Sequence, residues 1–222
     1  MLLRHADLQA AIVDLDGTMV DTLGDFDAAL NATLRELSLP PLPRAQIERM
    51  VGKGSEHLIR SALAAVGADA ARYEPAWAAY QRHYRTINGR HSDLFPGVEA
   101  GLDALARAGL RLACVTNKPG EFARDLLRAK GLADRFAVVF GGDAFERKKP
   151  DPLPLLRTCA ALGTAPPRTL VVGDSRNDAA AARAAGCPVV LVTYGYNHGE
   201  PVRAVDADAH VDSLAQLEAL LR

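Results

Sequence analysis

A short apolar run, Ala11-Ile12-Val13, stops at Asp14, and Leu15 is followed at once by Asp16, Gly17 and Thr18. An apolar run that feeds straight into two carboxylates is costly to fold unless the charges stand where a sheet opens to solvent. In open α/β sheets that place is the carboxyl end of the strands, where ligands bind. Residues 9–14 therefore read as a buried strand with Asp14 and Asp16 at its mouth. The rest of the chain must supply neighbouring strands and the groups that tolerate this charge.

Such strands recur. Runs at residues 110–115, 137–140, 169–172 and 189–193 are short and apolar, and a last short one is expected at 209–211. Helical patterns separate them, at about 98–108, 119–130, 152–162, 175–185 and 214–221, several closed by glycine or opened by proline. Strands alternating with helices imply parallel pairing and right-handed crossovers, hence an α/β, doubly wound Rossmann-like parallel sheet. Residues 21–90 differ. Leu23, Phe26, Leu30, Leu34 and Leu37 recur at spacings of three and four, marking one apolar helix face. Further helices are expected at 44–50, 55–66 and 70–87, with no strand among them. The expected division is a core of residues 1–20 and 91–222 with an inserted all-helical domain at 21–90, too small to be secure alone.

Polar residues fall at the strand ends: Asp14, Thr116, Gly142-Asp143 and Asp174. In a parallel sheet those ends share one edge, so these groups are expected to converge. Two carboxylates close together repel unless a cation intervenes or one keeps a proton. Three aspartates with no convergent Cys or His favour a hard, oxygen-liganded ion, Mg²⁺, over zinc.

Composition excludes other classes. The 222 residues are 49% hydrophobic and 24% charged, with a net charge of -1 and no basic block. That argues against a nucleic-acid or membrane-surface partner. No segment approaches the roughly 20 apolar residues of a membrane span, and residues 1–9 lack the shape of a signal peptide. Cys114, Cys159 and Cys187 form neither a disulfide framework nor a zinc site, which fits a reducing, cytoplasmic setting. His57, His83, His91 and His198 have no metal spacing. Trp77, Tyr80 and Tyr84, at helical spacing, read as packing.

Four segments in order, Asp14-Leu15-Asp16-Gly17-Thr18, Val115-Thr116-Asn117-Lys118, Lys148-Lys149-Pro150-Asp151-Pro152 and the stretch from Gly173 to Asp178, resemble the signature motifs of the haloacid dehalogenase (HAD) superfamily. The resemblance covers essentially the whole chain, with residues 21–90 resembling that superfamily's cap. Several stretches are similar to the bacterial phosphoglycolate phosphatase family: Val51-Gly52-Lys53-Gly54, the run from Asn88 to Val98, Gly173 to Gly186, and Thr193 to Gly199.

The resemblance implies a Mg²⁺-dependent phosphatase of a small phosphorylated metabolite, with 2-phosphoglycolate the expected substrate, acting through an aspartyl-phosphate. The alternatives are another sugar-phosphate phosphatase or a β-phosphoglucomutase-like phosphotransferase. It implies Asp14 as nucleophile, Asp16 as proton shuttle, Thr116 and Lys149 as catalytic partners of the phosphoryl group, and Gly17, Thr18 and Asn117 as substrate contacts. The metal would take the Asp14 side chain, the Asp16 backbone carbonyl and Asp174. Asp178 would orient metal waters or Lys149, and Ser175 would cap the helix that starts there. Lys53, between two glycines, reads equally as a contact for a substrate carboxylate or as a solvated loop lysine. Monomer and homodimer are both expected assemblies.

Overall fold

In the computed structural model, which describes residues 8–221, Ala10–Val13 forms strand β1, buried along its whole length. Residues 1–7, most of the stretch read above as lacking a leader, and residue 222 lie outside the described residues. After β1 come a two-residue strand, β2 (Val20–Asp21), and four helices: α1 (Leu23–Glu36), α2 (Arg44–Glu48), α3 (Ser55–Ala65) and α4 (Tyr73–Ile87). A second two-residue strand, β3 (Asp93–Leu94), pairs antiparallel with β2. This small ladder closes the base of the helical insertion. The sequence reading had no strand here, because two residues are too few to show a period.

The remaining elements alternate: α5 (Val98–Arg107), β4 (Arg111–Val115), α6 (Gly120–Ala129), β5 (Val138–Phe140), α7 (Leu153–Leu162), β6 (Thr169–Gly173), α8 (Arg176–Ala185), β7 (Val189–Val192), β8 (Ala209–Val211) and α9 (Leu217–Leu220). The sheet has six strands in the order β5-β4-β1-β6-β7-β8. Every neighbouring pair is parallel.

Side chains alternate along β1, and the two sets enter two different cores. Ala11 and Val13 pack with Leu102 and Leu105 of α5, Leu126 and Leu127 of α6, and Leu217 of α9. Ala10 and Ile12 pack with Leu155 and Cys159 of α7 and with Ala181 and Ala182 of α8. A strand covered on both faces must be apolar throughout, which accounts for the unbroken run. Each large aliphatic side chain so buried contributes about 1.5–3 kcal/mol. All three cysteines are buried and unbridged.

The insertion has its own apolar cluster. Leu23, Phe26, Leu30 and Leu34 of α1 meet Tyr80 and Tyr84 of α4, and Phe122 and Tyr196 join them from the sheet side. Tyr84 lies between Phe26 and Tyr80, with ring centroids at 5.5 and 5.3 Å, and meets Phe122 edge-on at 5.0 Å. A buried carboxylate anchors the return of the chain. Asp25 of α1 accepts hydrogen bonds from the backbone N–H groups of Gly89 (2.8 Å) and His91 (2.7 Å). Replacing Asp25 with Ala strands two donors beneath α1. The expected loss is about 2–3 kcal/mol, measured by urea unfolding; a change under about 0.5 kcal/mol contradicts this account.

Candidate active site

β1, β4 and β6 are adjacent at the centre of the sheet, and their carboxyl ends present Asp14, Thr116 and Asp174 to one spot. The chain leaves β1 toward β4 on one side and β6 on the other, which is the topological switch point where α/β sheets bind ligands. Backbone turns then aim the side chains. Gly17 has a φ of +81°, and a Cβ there would meet Asp174 Oδ2 at 2.3 Å. Only glycine lets this turn approach the carboxylate so closely.

Lys149 organises the floor. Its buried ammonium lies 3.0 Å from Asp14 Oδ1 and 2.7 Å from Asp178 Oδ1. It also donates to the carbonyl of Val115 at 2.8 Å. Burial pulls this ammonium down, but Asp14 and Asp178 outweigh it and hold the group above its ordinary range. Asp178 is fully occupied. Its second oxygen accepts from the Ser175 hydroxyl (2.7 Å) and backbone N–H (3.2 Å), closing the capping box at the start of α8. Gly173 makes room for it, since a Cβ there would fall 2.3 Å from Asp178 Cγ.

Asp14, Asp174 and Asp178 bring carboxylate oxygens within 4.8 Å of one another. The Asp14 carboxyl is pushed up to about 7: burial raises it most, Lys149 opposes, and the Asp178 charge adds to the rise. Burial, then Asp178 and Asp14, push Asp174 well above its ordinary value. Asp174 keeps two donors, the Thr18 hydroxyl (3.1 Å) and the Tyr196 N–H (2.5 Å). One lysine does not balance these acids. Crowded, oxygen-only carboxylates of this kind fit a hard divalent cation, and Asp14 and Asp174, whose oxygens keep spare lone pairs beside Lys149 and their single hydrogen bonds, are the two placed to hold it.

Several expected contacts fall elsewhere. The Thr18 hydroxyl is turned onto Asp174. The Asn117 amide donates to the carbonyls of Lys149 (2.8 Å) and Gly52 (3.0 Å), tying core to insertion. The Asn177 amide also donates to Gly52, at 3.2 Å. Asp143, read as a strand-end partner of Asp14, is exposed and accepts from the Gly120 N–H at the start of α6. Lys53 is exposed and lines a neighbouring cleft with His57 and Lys148.

Asp16 points away from the acid cluster. Its carboxylate pairs at 2.7 Å with Lys118, a residue to which the sequence reading gave no role. Asp14, Asp16, Thr116 and Lys118 share a pocket with Phe26, Val51, Leu58 and Tyr84 of the insertion. Its volume is about 30 Å³, room for roughly two waters. Tyr84 is therefore a pocket wall as well as a packing residue.

The family model for haloacid dehalogenase-like hydrolases matches residues 11–192. The phosphoglycolate phosphatase of Thiobacillus denitrificans is 43% identical over 94% of this chain and 93% of its own length. A plasmid phosphoglycolate phosphatase of Cupriavidus necator is 46% identical over 96% and 92%. A crystal structure of a predicted phosphoglycolate phosphatase from Haemophilus somnus superposes with a TM-score of 0.93 at 31% identity, covering 97% of this chain and 99% of that one. CbbY from Rhodobacter sphaeroides, solved with phosphate, gives 0.82 at 25% identity, covering 96% and 99%.

The raised Asp14 carboxyl has a stability consequence. The folded chain holds its proton to about pH 7, whereas the ordinary value is 3.8. Between those limits the folded state binds the extra proton, so stability falls as pH rises through that window. Metal-free protein should lose at least about 1 kcal/mol relative to Asp14→Asn from pH 4 to 7, and a divalent cation should flatten the difference. Urea unfolding across that range checks this; parallel curves without metal would refute it.

Proposed function

The chain belongs to the haloacid dehalogenase-like hydrolase family, and from that premise we propose that it hydrolyses 2-phosphoglycolate to glycolate and phosphate. The observation that carries this reading is the division of labour between the two strand-end acids. Asp14 lies beside Lys149 at the acid cluster, while Asp16 faces the pocket with Lys118. One acid is placed for the phosphoryl group and the other for the leaving oxygen. The curated relatives at 38–46% identity support the choice of substrate.

Asp14 attacks phosphorus, forming a bond from its carboxylate oxygen as the ester bond breaks. Asp16 gives its proton to the departing oxygen, and glycolate leaves. Asp16 then takes a proton from the water that attacks the aspartyl-phosphate, and phosphate leaves with Asp14 regenerated. Lys149 holds positive charge beside Asp14 through both steps, and the Thr116 hydroxyl donates to a phosphoryl oxygen. Asp178 positions Lys149. Mg²⁺, held by Asp14 and Asp174 with the Asp16 backbone carbonyl, would neutralise phosphoryl charge. Thr18 keeps Asp174 oriented, and Gly17 lets the turn close upon it.

The helical insertion, residues 21–90, acts as a cap. The pocket as it stands is too small for a phosphate ester, so entry requires the cap to withdraw. Closure brings Phe26, Val51, Leu58 and Tyr84 over the acids and excludes water. A two-carbon leaving group asks for the smallest enlargement of that space, which favours phosphoglycolate over a hexose phosphate. Lys53 lies at the mouth of the neighbouring cleft, where it attracts anions. A reducing cytoplasm is the setting that three buried, unbridged cysteines suit. Among the described residues no helix is long and apolar enough to cross a membrane.

With Mg²⁺, kcat/KM for 2-phosphoglycolate is expected to exceed that for hexose and pentose phosphates by at least about tenfold, and chelation of the metal should abolish turnover. Asp14→Asn should lower kcat by at least about a thousandfold. Phosphate release assays decide both points. Equal rates across the phosphate esters would defeat the substrate assignment, and a substantially active Asp14→Asn would defeat the nucleophile.

A further inference from the structure

Lys118 carries a buried charge for which the chemistry above has no use. Its side chain is 1% exposed. The ammonium lies 4.5 Å from the centroid of Phe26 and 4.9 Å from that of Tyr84. Among the described residues its one hydrogen-bond partner is Asp16, at 2.7 Å. An ammonium has three protons to donate, so the Asp16 bond leaves capacity for further acceptors. The Tyr84 hydroxyl, on a residue that lines the same pocket, is buried without a hydrogen-bond partner among the described residues. Both groups line a pocket with room for about two waters, positions that the oxygens of a ligand can take.

We propose that Lys118, with the Tyr84 hydroxyl as a second donor, binds the carboxylate on the leaving group and so selects acidic phosphate esters over neutral ones. The proposal rests on the phosphoglycolate reading and deepens it. Lys118 touches Asp16 and not Asp14, which places its charge on the leaving-group side of the centre. In phosphoglycolate one methylene separates the ester oxygen from the carboxyl carbon, so the carboxylate oxygens lie about 3 Å from that oxygen. A cation in contact with the acid that protonates the leaving oxygen is therefore within reach of that carboxylate. The aromatic walls strip water from the ammonium and strengthen its attraction for an anion. A neutral leaving group would leave the cation as poorly satisfied as before. Sites built on such a charged contact reject the analogue that lacks it.

The test compares 2-phosphoglycolate with 2-hydroxyethyl phosphate, in which a neutral hydroxymethyl group stands in place of the carboxylate. Wild type is expected to favour phosphoglycolate by about a hundredfold or more in kcat/KM. Lys118→Met, and Lys118→Gln, which keeps a donor for Asp16 without the charge, should each lose at least about tenfold more on phosphoglycolate than on the neutral ester. The differential should appear mainly in KM. Tyr84→Phe, which preserves the ring packing, should show the same split at about three- to tenfold. Preference ratios unchanged in folded variants would overturn the proposal and leave Lys118 serving Asp16 alone, with the substrate assignment intact. A wild type that prefers the neutral ester would overturn the substrate assignment, and the proposal with it.

Discussion

The ammonium of Lys149, held between Asp14 and Asp178 with the Val115 carbonyl as a third partner, is the contact on which the site depends. It neutralises Asp178, which in turn holds Ser175 and the start of α8. It half-neutralises Asp14 and acts on Asp174 only from a distance, so that among the described residues Asp174 has hydrogen bonds and no ion pair. Removing Lys149 itself would leave two buried carboxylates uncompensated, the costly way to break such a cluster. The strand order makes the arrangement unavoidable, because β1 lies between β4 and β6 and their polar ends converge. The sheet thus concentrates negative charge where it can least be hydrated, and that surplus is what a divalent cation answers.

The same few residues connect this floor to the helical insertion. Asn117, next to Thr116, spans the Lys149 carbonyl on one side and the Gly52 carbonyl on the other. Asn177, one residue before Asp178, reaches the same Gly52 carbonyl. Two amides, one just past β4 and one in the first turn of α8, thus grip one oxygen of the loop between α2 and α3. The grip is made by neighbours of the reacting groups, so the position of the insertion and the geometry of the floor are mechanically linked. Its strength is that of two neutral hydrogen bonds, about 1 kcal/mol each, added to the apolar contacts of Phe122 and Tyr196 with the insertion.

What the sequence discloses follows from how far each feature depends on distant parts of the chain. Strand ends are local events, an apolar run followed by a polar residue, so Asp14, Thr116 and Asp174 were visible, and with them the parallel sheet. Where a side chain points is less local. Asp143 also ends a strand-like run, yet β5 is the outermost strand on its side, and Asp143 turns outward to meet α6. Thr18 and Asn117 lie beside the strand ends, and their donors go to Asp174, Gly52 and the Lys149 backbone, directions that no local pattern encodes. Lys118 was the hardest to see. Nothing beside it in sequence marks it as buried, and its burial is created by Phe26 and Tyr84 from two helices of the insertion. No window of sequence contains all three.

That dependence bears on how selectivity would work. The rings that dry the Lys118 ammonium belong to α1 and α4, whereas Asp16 and Lys118 themselves belong to the sheet edge. With the insertion withdrawn, water reaches the pair and its attraction for a further anion falls toward the value of an exposed ion pair. With the insertion closed, the same charges act in a low-dielectric pocket, and the difference between a carboxylate and a hydroxyl on the leaving group grows to its full size. Discrimination on the proposed reading is therefore a property of the closed molecule. An acidic ester stabilises closure by completing Lys118, and closure is what brings the water-excluding wall over Asp14 and Asp16. Substrate choice and activation of the acids would then be one event, driven by the same buried cation.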